Sequence, residues 1–154
     1  MIYDLEQTTL FKDVDFKELE DIAQFCSIHT YGEGDFVLEE HQGRGHFDLF
    51  VLRRGQVEVV SNNSKSISGE VVLSREDKEL FGEVSWLTKK RRTASVRCRT
   101  PVEVIRIDGE MLDDYIAAHP RAGLAIMRHI AQMLAERLSA TDNLLKQILW
   151  NTGI

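Results

Sequence analysis

A period-two alternation of apolar and polar side chains runs from Ile28 to Ile107 and restricts the fold more than any other feature of the chain. Such alternation predicts short strands that bury one face. Turn residues interrupt the pattern at intervals of roughly ten residues, which favours a closed antiparallel roll or barrel. The alternating apolar pairs are Phe36 and Leu38, Leu49 and Val51, Val57 and Val59, Val71 and Leu73, Val96 and Cys98, and Ile105 and Ile107. The interrupting residues are Gly32, Gly34, Gly43, Gly45, Gly55, Pro101 and the polar tract 61–69, of which 61–68 is expected to form a hairpin excursion.

Helical patterns flank this region on both sides. Asp15 and Glu18 have the spacing of a capping box, which predicts a helix after them. Its apolar face is expected to hold Leu19, Ile22, Ala23 and Cys26. Asp108 is placed to cap a second helix, which Pro120 ends. The chain is therefore expected to be mainly β with flanking helices.

A third, longer helix is predicted from Pro120 to about Trp150, with a length of about 46 Å at 1.5 Å per residue. Its apolar side chains recur at spacings of three and four, and one roll does not cover such a stripe along its whole length. A homodimer through this helix is favoured over a helix folded back on its own domain. The stripe contains Leu124, Met127, Ile130, Leu134, Leu138, Thr141, Leu145 and Ile148.

Charge and hydropathy exclude several classes of protein. The net charge of −6 argues against DNA as a partner, because nucleic-acid binding relies on attraction to phosphates. The longest apolar runs, such as 49–52, are far too short to span a bilayer, so no membrane contact is expected. The N-terminus lacks the layout of a secretion signal, which favours the cytoplasm.

The reactive residue types show no catalytic or metal-binding spacing. Cys26 and Cys98 are isolated and are expected to be buried, reduced thiols. The five histidines are scattered, so no metal and no other cofactor is expected. No nucleophile with an adjacent base and no paired carboxylates stand out, so the chain is predicted not to be an enzyme.

The segment 81–96 has the layout of an anion pocket. A strand ends at Phe81, Gly82 permits close backbone approach, and a short helix follows whose first N–H groups favour negative charge. Arg92 can hold a phosphate through two parallel hydrogen bonds. Glu83 would repel a phosphate, so its useful role is to accept a hydrogen bond from a sugar hydroxyl. The neighbouring cations Lys89, Lys90 and Arg91 are expected to be solvated.

Phe-Gly-Glu at 81–83, followed nine residues later by Arg-Thr-Ala-Ser at 92–95, resembles the phosphate-binding cassette of the cyclic-nucleotide-binding domain family. This family is found in protein kinase regulatory subunits, catabolite activator proteins and cyclic-nucleotide-gated channels. The resemblance covers nearly the whole chain. It includes Leu10 and Phe11 before the first helix, Gly34 with Asp35 opening a strand, Gly55 closing a hairpin, and the two closing helices.

The resemblance implies a single domain with a double-stranded, jelly-roll-like antiparallel β-roll. Its segments would be an N-terminal helical segment at 1–27, the roll at 28–108 with the cassette at 81–96, and C-terminal helices at 109–154. In two respects the chain departs from the family pattern. His41 stands where the family usually has a glycine, and the chain stops at Ile154, so no DNA-reading helix-turn-helix is expected.

The resemblance also implies a set of ligand-binding residues. Gly82 and Val84 would offer backbone N–H groups to the cyclic phosphate, and Glu83 would bind the ribose 2′-hydroxyl. Ser85 and Arg92 would hold the phosphate. Thr93 would lie near phosphate and base, Phe81 and Ala94 complete the cassette, and Val71 and Leu73 are expected to wall the base. Leu134, Arg137, Leu138 and Thr141 are candidates for contact with the purine.

The function that follows is a cytoplasmic regulatory sensor in signal transduction, which binds cAMP or cGMP, with cAMP slightly favoured. Ligand entry is expected to order the cassette and to move the closing helices over the base, which passes the signal to an unidentified protein partner. Two alternatives stay open at this point. One is a structural dimerisation module with a degenerate pocket, and the other is a sensor of a different anionic effector.

Overall fold

A computed structural model describes residues 1–38, 47–61, 71–75, 80–92 and 94–151. Residues 61 and 71–75 are described through their strand pairing. His41, Gly43, Gly45 and Thr93 lie outside the described residues. No helix within the described ranges is long and apolar enough to cross a membrane.

The helices lie at the two ends of the chain, except for a short one in the cassette. They are α1 (Ile2–Glu6), a 3-10 helix (Thr9–Phe11), α2 (Phe16–Ala23), α3 (Glu83–Thr88), α4 (Gly109–Ala118) and α5 (Pro120–Asn151). The Asp15 side chain accepts a hydrogen bond from the Glu18 N–H at 2.9 Å, and Asp108 accepts one from the Met111 N–H at 2.9 Å. Both predicted helix caps are therefore confirmed.

The strands form two antiparallel four-stranded sheets. The strands are β1 (Cys26–Tyr31), β2 (Phe36–Leu38), β3 (Leu49–Arg54), β4 (Val57–Ser61), β5 (Val71–Arg75), β6 (Leu80–Phe81), β7 (Ser95–Cys98) and β8 (Val102–Ile107). One sheet has the order β1-β8-β3-β6 and the other has the order β2-β7-β4-β5. Apolar side chains of both sheets meet in one buried cluster, which includes Leu52, Val57, Val96 and Val104. The predicted β-roll with flanking helices is confirmed.

Two connections differ in detail from the sequence-based prediction. β4 pairs with β5, with Ser61 opposite Val71, so the polar tract does join two paired strands. Gly55, however, does not close a hairpin, because β3 and β4 belong to different sheets. It carries the chain from one sheet to the other with φ of 92°, and a Cβ there would collide with the Pro101 carbonyl oxygen. Alternation shows that strands exist but not which strands pair.

A second core lies between the outer face of the first sheet and the helices. It joins the N-terminal Leu5, Phe11 and Ile22 to Leu112 of α4 and Ile126 of α5, all at most 1% exposed. Cys26, which was expected on the face of α2, is instead the first residue of β1. The N- and C-terminal helices thus pack together on one side of the roll.

The long helix α5 uses a different face from the predicted stripe. Its buried residues are Ala122, Gly123, Ile126, His129 and Ile130. Of the predicted stripe, Ile130 is buried on this face and Leu134 packs against the same core in part, whereas Leu124 and Leu138 are 61% and 63% exposed. The sequence predicts the apolar positions of the helix, but two apolar faces compete and only packing decides which one the roll covers.

Candidate functional site

The cassette begins at a sharp change of direction after β6. Gly82 has φ of 86° and is the N-cap of α3, a conformation that side-chain-bearing residues rarely adopt. A Cβ on Gly82 would lie 2.8 Å from the Asp48 carbonyl oxygen and 2.9 Å from Arg92 Nη1. Glycine therefore permits both the turn and the close approach of the arginine.

Most of the predicted ligand-binding residues line one cavity of about 170 Å³. Within it lie Phe81, Gly82, Glu83, Val84, Ser85, Arg92 and Ala94, together with Leu38, Val59 and Val96 from the second sheet. Glu83, Ser85 and Arg92 are 4%, 5% and 6% exposed. The fold thus brings the acidic, hydroxyl and cationic groups of the cassette together in a buried place, although their contact with a ligand stays a prediction.

The guanidinium of Arg92 is held by carbonyl oxygens. Nη1 donates to the Gly82 carbonyl at 2.8 Å, and Nη2 donates to the Asp48 carbonyl at 2.9 Å. Within the described parts of the chain, no carboxylate lies within ion-pair distance of this guanidinium. Burial lowers the pKa of Arg92, and the negative charges of Asp48 and Glu83 partly offset that effect. A buried positive charge held by neutral acceptors is suited to receiving an anion.

Asp48 is a residue of this site that the sequence analysis missed. Its Oδ1 accepts the Gly109 N–H at 3.0 Å, and its Oδ2 accepts Arg106 Nε at 2.6 Å. Asp48 is 6% exposed and lies directly before β3, where nothing in the sequence marks it as different from a surface acid. It ties the arginine of the cassette to the first turn of α4.

Glu83 also has a partner that the sequence did not predict. Arg137 of α5 donates from Nη1 to Glu83 Oε1 and from Nη2 to the Leu80 carbonyl at 3.1 Å. Arg137 was expected as a candidate for purine contact, yet it does not line the cassette cavity. The structure places it against the acidic residue of the cassette instead.

A sequence model of the family described as cyclic nucleotide-binding domain matches residues 28–119, which is more than half of the chain. The chain belongs to the cyclic nucleotide-binding domain family. Domains of this family generally regulate and do not catalyse. The match ends at His119, directly before α5 begins.

The chain is also similar to curated proteins and to solved structures. The chain is 31% identical over 138 residues to Glutaminase 2 of Bradyrhizobium diazoefficiens, a match that covers 90% of the chain and 21% of that protein. The chain thus spans about a fifth of the length of the curated relatives that it matches first. A putative cyclic nucleotide-binding protein of Geobacter metallireducens GS-15 superimposes with a TM-score of 0.74 at 24% identity, covering 88% of this chain and 96% of that one.

The fold is also similar to a cyclic nucleotide-binding domain from Methylobacillus flagellatus KT. The TM-score is 0.80 at 18% identity, and the match covers 95% of this chain and 81% of that one. Because this match includes 95% of the chain, it extends beyond the roll into the helices. The similarity therefore supports the whole arrangement of roll and closing helices.

The remaining cations of the cyclic nucleotide-binding cassette lie on its outer side. Lys90 and Arg91 are exposed, as expected. Lys89 is half exposed but pairs with Asp113 of α4, Nζ to Oδ2 at 2.7 Å, and lies over the Trp86 ring. Lys89 thus ends α3 and contacts α4, while it stays exposed to solvent as expected.

For three predicted ligand-binding residues the structure describes no side chain. The side chains of Val71 and Leu73 lie outside the described residues, as does Thr93. The backbone places Leu73 opposite Val59, which lines the cassette cavity. The backbone of β5 therefore runs beside the cavity wall, and contact of the Val71 and Leu73 side chains with a base stays a prediction.

A second, larger cavity of about 480 Å³ lies between the N-terminal segment and α5. It shares no lining residue with the cassette cavity. Its lining includes Thr8, Leu10, Leu80, His129, Met133 and Arg137. Arg137 thus borders this second cavity, while Glu83 borders the cassette.

Proposed function

We propose that the chain binds a cyclic nucleotide, cAMP slightly in preference to cGMP, as a regulatory sensor domain. The observation that carries this proposal is the shared burial of Arg92 and Glu83 in one cavity, with the guanidinium held by carbonyl oxygens. A cation in that setting favours a phosphodiester, because an anion neutralises the buried positive charge, which neutral carbonyl groups do not do.

The cassette offers a separate group for each part of the ligand. Arg92 and the Ser85 hydroxyl would hold the phosphate, with backbone N–H groups of Gly82 and Val84 at the start of α3. The Glu83 carboxylate would accept the ribose 2′-hydroxyl. Phe81, Ala94 and Thr93 would complete the site, and Val71 and Leu73 would wall the base.

The size of the cavity indicates how the nucleotide would be accommodated. Small-molecule pockets typically measure ~300–1,000 Å³. The cavity of about 170 Å³ is smaller, so it suits the phosphate and ribose, and the base would extend beyond it. Covering that base would require the β4–β5 hairpin or the closing helices to move, which gives ligand binding a mechanical consequence.

A second copy of this chain is the proposed partner of α5. From residue 138 to 151 every residue of the helix is exposed, including Leu138, Leu145 and Ile148. Leu138, Thr141, Leu145 and Ile148 follow the alternating spacing of three and four that forms the seam of a coiled coil. Such a seam is complementary to itself, so a homodimer would cover it. A cytoplasmic location and a downstream protein partner belong to the same proposal.

Isothermal titration of the chain with cAMP and with cGMP tests the function, with 5′-AMP and inorganic phosphate as control ligands. We expect micromolar or tighter binding of at least one cyclic nucleotide and much weaker binding of both controls. If neither cyclic nucleotide gives a heat of binding at two different temperatures, the result would favour the structural dimerisation module. Thermal stabilisation by another phosphate or carboxylate alone would favour a different anionic effector.

A further inference from the structure

The cavity of about 480 Å³ beside α5 has the size of a small-molecule site, for which ~300–1,000 Å³ is typical. One of its walls is the N-terminal segment around the 3-10 helix, and the opposite wall is one face of α5. His129 of α5 joins the two walls, because its Nε2 lies 3.1 Å from Asp13 Oδ2. The cavity is therefore bounded by elements that the fold already holds together.

The floor of this cavity is apolar. Leu10 of the 3-10 helix, Val51 of β3 and Leu80 of β6 are buried, and Met133 of α5 is half-buried beside them. A floor of this kind gains free energy when an aliphatic or aromatic group displaces water from it.

Thr8 adds a buried polar group to the same lining. It is 3% exposed, and its hydroxyl donates a hydrogen bond to the Leu5 carbonyl at 2.7 Å. The hydroxyl oxygen still has lone pairs, because donating does not use them. It can therefore accept a hydrogen bond from a donor that enters the cavity.

The rim of the cavity carries charges of opposite sign on its two walls. Lys12 lies at the end of the 3-10 helix, Glu136 lies on α5, and both side chains are exposed. Among the residues that the structure describes, neither side chain forms an ion pair or a hydrogen bond, with the other or with a third group. Arg137 also borders the cavity, but its guanidinium is engaged by Glu83 and by the Leu80 carbonyl. The rim thus offers a cation on one side and an anion on the other.

We propose that this cavity is a second binding site, which takes a free α-amino acid with an apolar side chain. The carboxylate of the ligand pairs with Lys12, its ammonium group donates to Glu136 and to the Thr8 hydroxyl oxygen, and its side chain lies on the apolar floor. A purely anionic ligand would be repelled by Glu136 and a purely cationic one by Lys12, so a zwitterion fits the rim better than either. The inference does not rest on the proposed function, because it assigns no ligand contact to a residue of the cassette.

The test uses L-leucine and two analogues that each lack one of its charged groups. 4-Methylpentanoate keeps the carboxylate and the branched side chain, and 3-methylbutylamine keeps the ammonium group and the same side chain. In titration calorimetry each analogue should bind about tenfold or more weakly than L-leucine, because a charge-assisted hydrogen bond is lost. Glycine should bind much more weakly still, since it has no side chain to cover the floor.

Two rim variants should divide the analogues between them. Lys12→Gln should weaken binding of L-leucine and 4-methylpentanoate about threefold or more, as expected for a solvent-exposed charge, but should not weaken 3-methylbutylamine. Glu136→Gln should weaken L-leucine and 3-methylbutylamine to a similar degree, but not 4-methylpentanoate. A general disturbance of the fold would instead weaken all the ligands together.

Lys17→Gln and Asp142→Asn are the matched controls, because both residues are exposed charges outside the cavity lining. Both variants should bind L-leucine as the wild type does. Ala140→Trp should block L-leucine, since Ala140 is an exposed residue of the lining and the indole would fill the space. Thermal unfolding should show that each variant is folded at the titration temperature.

Three results would each overturn the inference. They are no binding of L-leucine or L-phenylalanine at about 10 mM, an analogue that binds as tightly as L-leucine, and L-leucine binding that is unchanged in both rim variants. A wild-type chain that binds L-leucine but neither cAMP nor cGMP would refute only the proposed function.

Discussion

Arg92 donates a hydrogen bond from Nη2 to the carbonyl oxygen of Asp48 at 2.9 Å, although 44 positions separate the two residues in sequence. The carboxylate of the same aspartate accepts the N–H of Gly109, the first residue of α4. The cation of the cassette and the start of the closing helices are therefore linked through one buried residue. A ligand that draws Arg92 away from this carbonyl acts on a residue that also fixes α4.

Removal of the guanidinium should abolish most of the nucleotide affinity. We expect Arg92→Ala to weaken cyclic nucleotide binding by at least about 100-fold, because a buried charge-assisted contact is lost. Arg92→Lys should lose about tenfold, since lysine retains the charge but not the two-pronged geometry. Titration calorimetry measures both. Arg91→Ala is the control, because Arg91 is exposed, and an equal effect in that variant would contradict the assignment.

A methyl group on Gly82 should disturb both the site and the fold. Gly82→Ala places a Cβ 2.9 Å from Arg92 Nη1 and 2.8 Å from the Asp48 carbonyl oxygen, so the arginine must shift. Gly34 is the matched control, because it has φ of 84° with nothing within 4 Å of a Cβ. In urea denaturation, Gly34→Ala should lose about 1 kcal/mol of unfolding free energy from the left-handed backbone, and Gly82→Ala should lose more, because its Cβ also meets the Asp48 carbonyl oxygen. Only Gly82→Ala should also lower nucleotide affinity, by about tenfold or more.

Charge on the free end of α5 should dissociate the proposed dimer. Leu138 and Leu145 are 63% and 53% exposed and share the predicted seam. Two glutamates at these positions would place like charges across a coiled-coil interface, so sedimentation equilibrium should report a monomer for the double variant. Ser139→Glu is the control, because it adds a negative charge outside the seam, and this variant should stay dimeric. A wild-type chain that is monomeric at the highest concentration measured would refute the homodimer.

The two thiols should lower the free energy of unfolding at alkaline pH. Burial raises the pKa of Cys26 to about 12, and burial together with the charge of Asp35 raises the pKa of Cys98 to about 11, against an ordinary value of 9.0. Because the pKa of each thiol is higher in the folded state, the protonated thiols contribute a stability that is fully present below pH 9.0. That contribution is lost as the pH rises toward the folded-state pKa values.

Urea denaturation between pH 8 and pH 10 measures this loss. Above the unfolded-state pKa the unfolding free energy should fall by about 1 kcal/mol per pH unit for each thiol. The variant with Cys26→Ala and Cys98→Ala should be less stable at pH 8 because of the cavities it creates, but its stability should depend less steeply on pH. Parallel pH dependences in the two proteins would show that the thiols ionise equally in both states.

Much of the site could be predicted because its residues are adjacent in sequence. Gly82, Glu83 and Ser85 follow one another at a helix start, and Arg92 lies a short loop away, so local spacing already limits their separation. Asp48 and Arg137 come from distant parts of the chain, and no local pattern distinguishes them from surface charges. Only the two sheets and α5 bring them to the cassette.

Local patterns along the chain predict the alternation of strands, the helix caps at Asp15 and Asp108, and the cassette at 81–96, because each pattern involves residues close to one another in sequence. The folded structure was needed to show that β3 and β4 belong to different sheets, that Ala122, Ile126 and Ile130 form the buried face of α5, and that Arg137 pairs with Glu83. Burial and charge compensation depend on distances across the folded chain, which sequence separation does not encode.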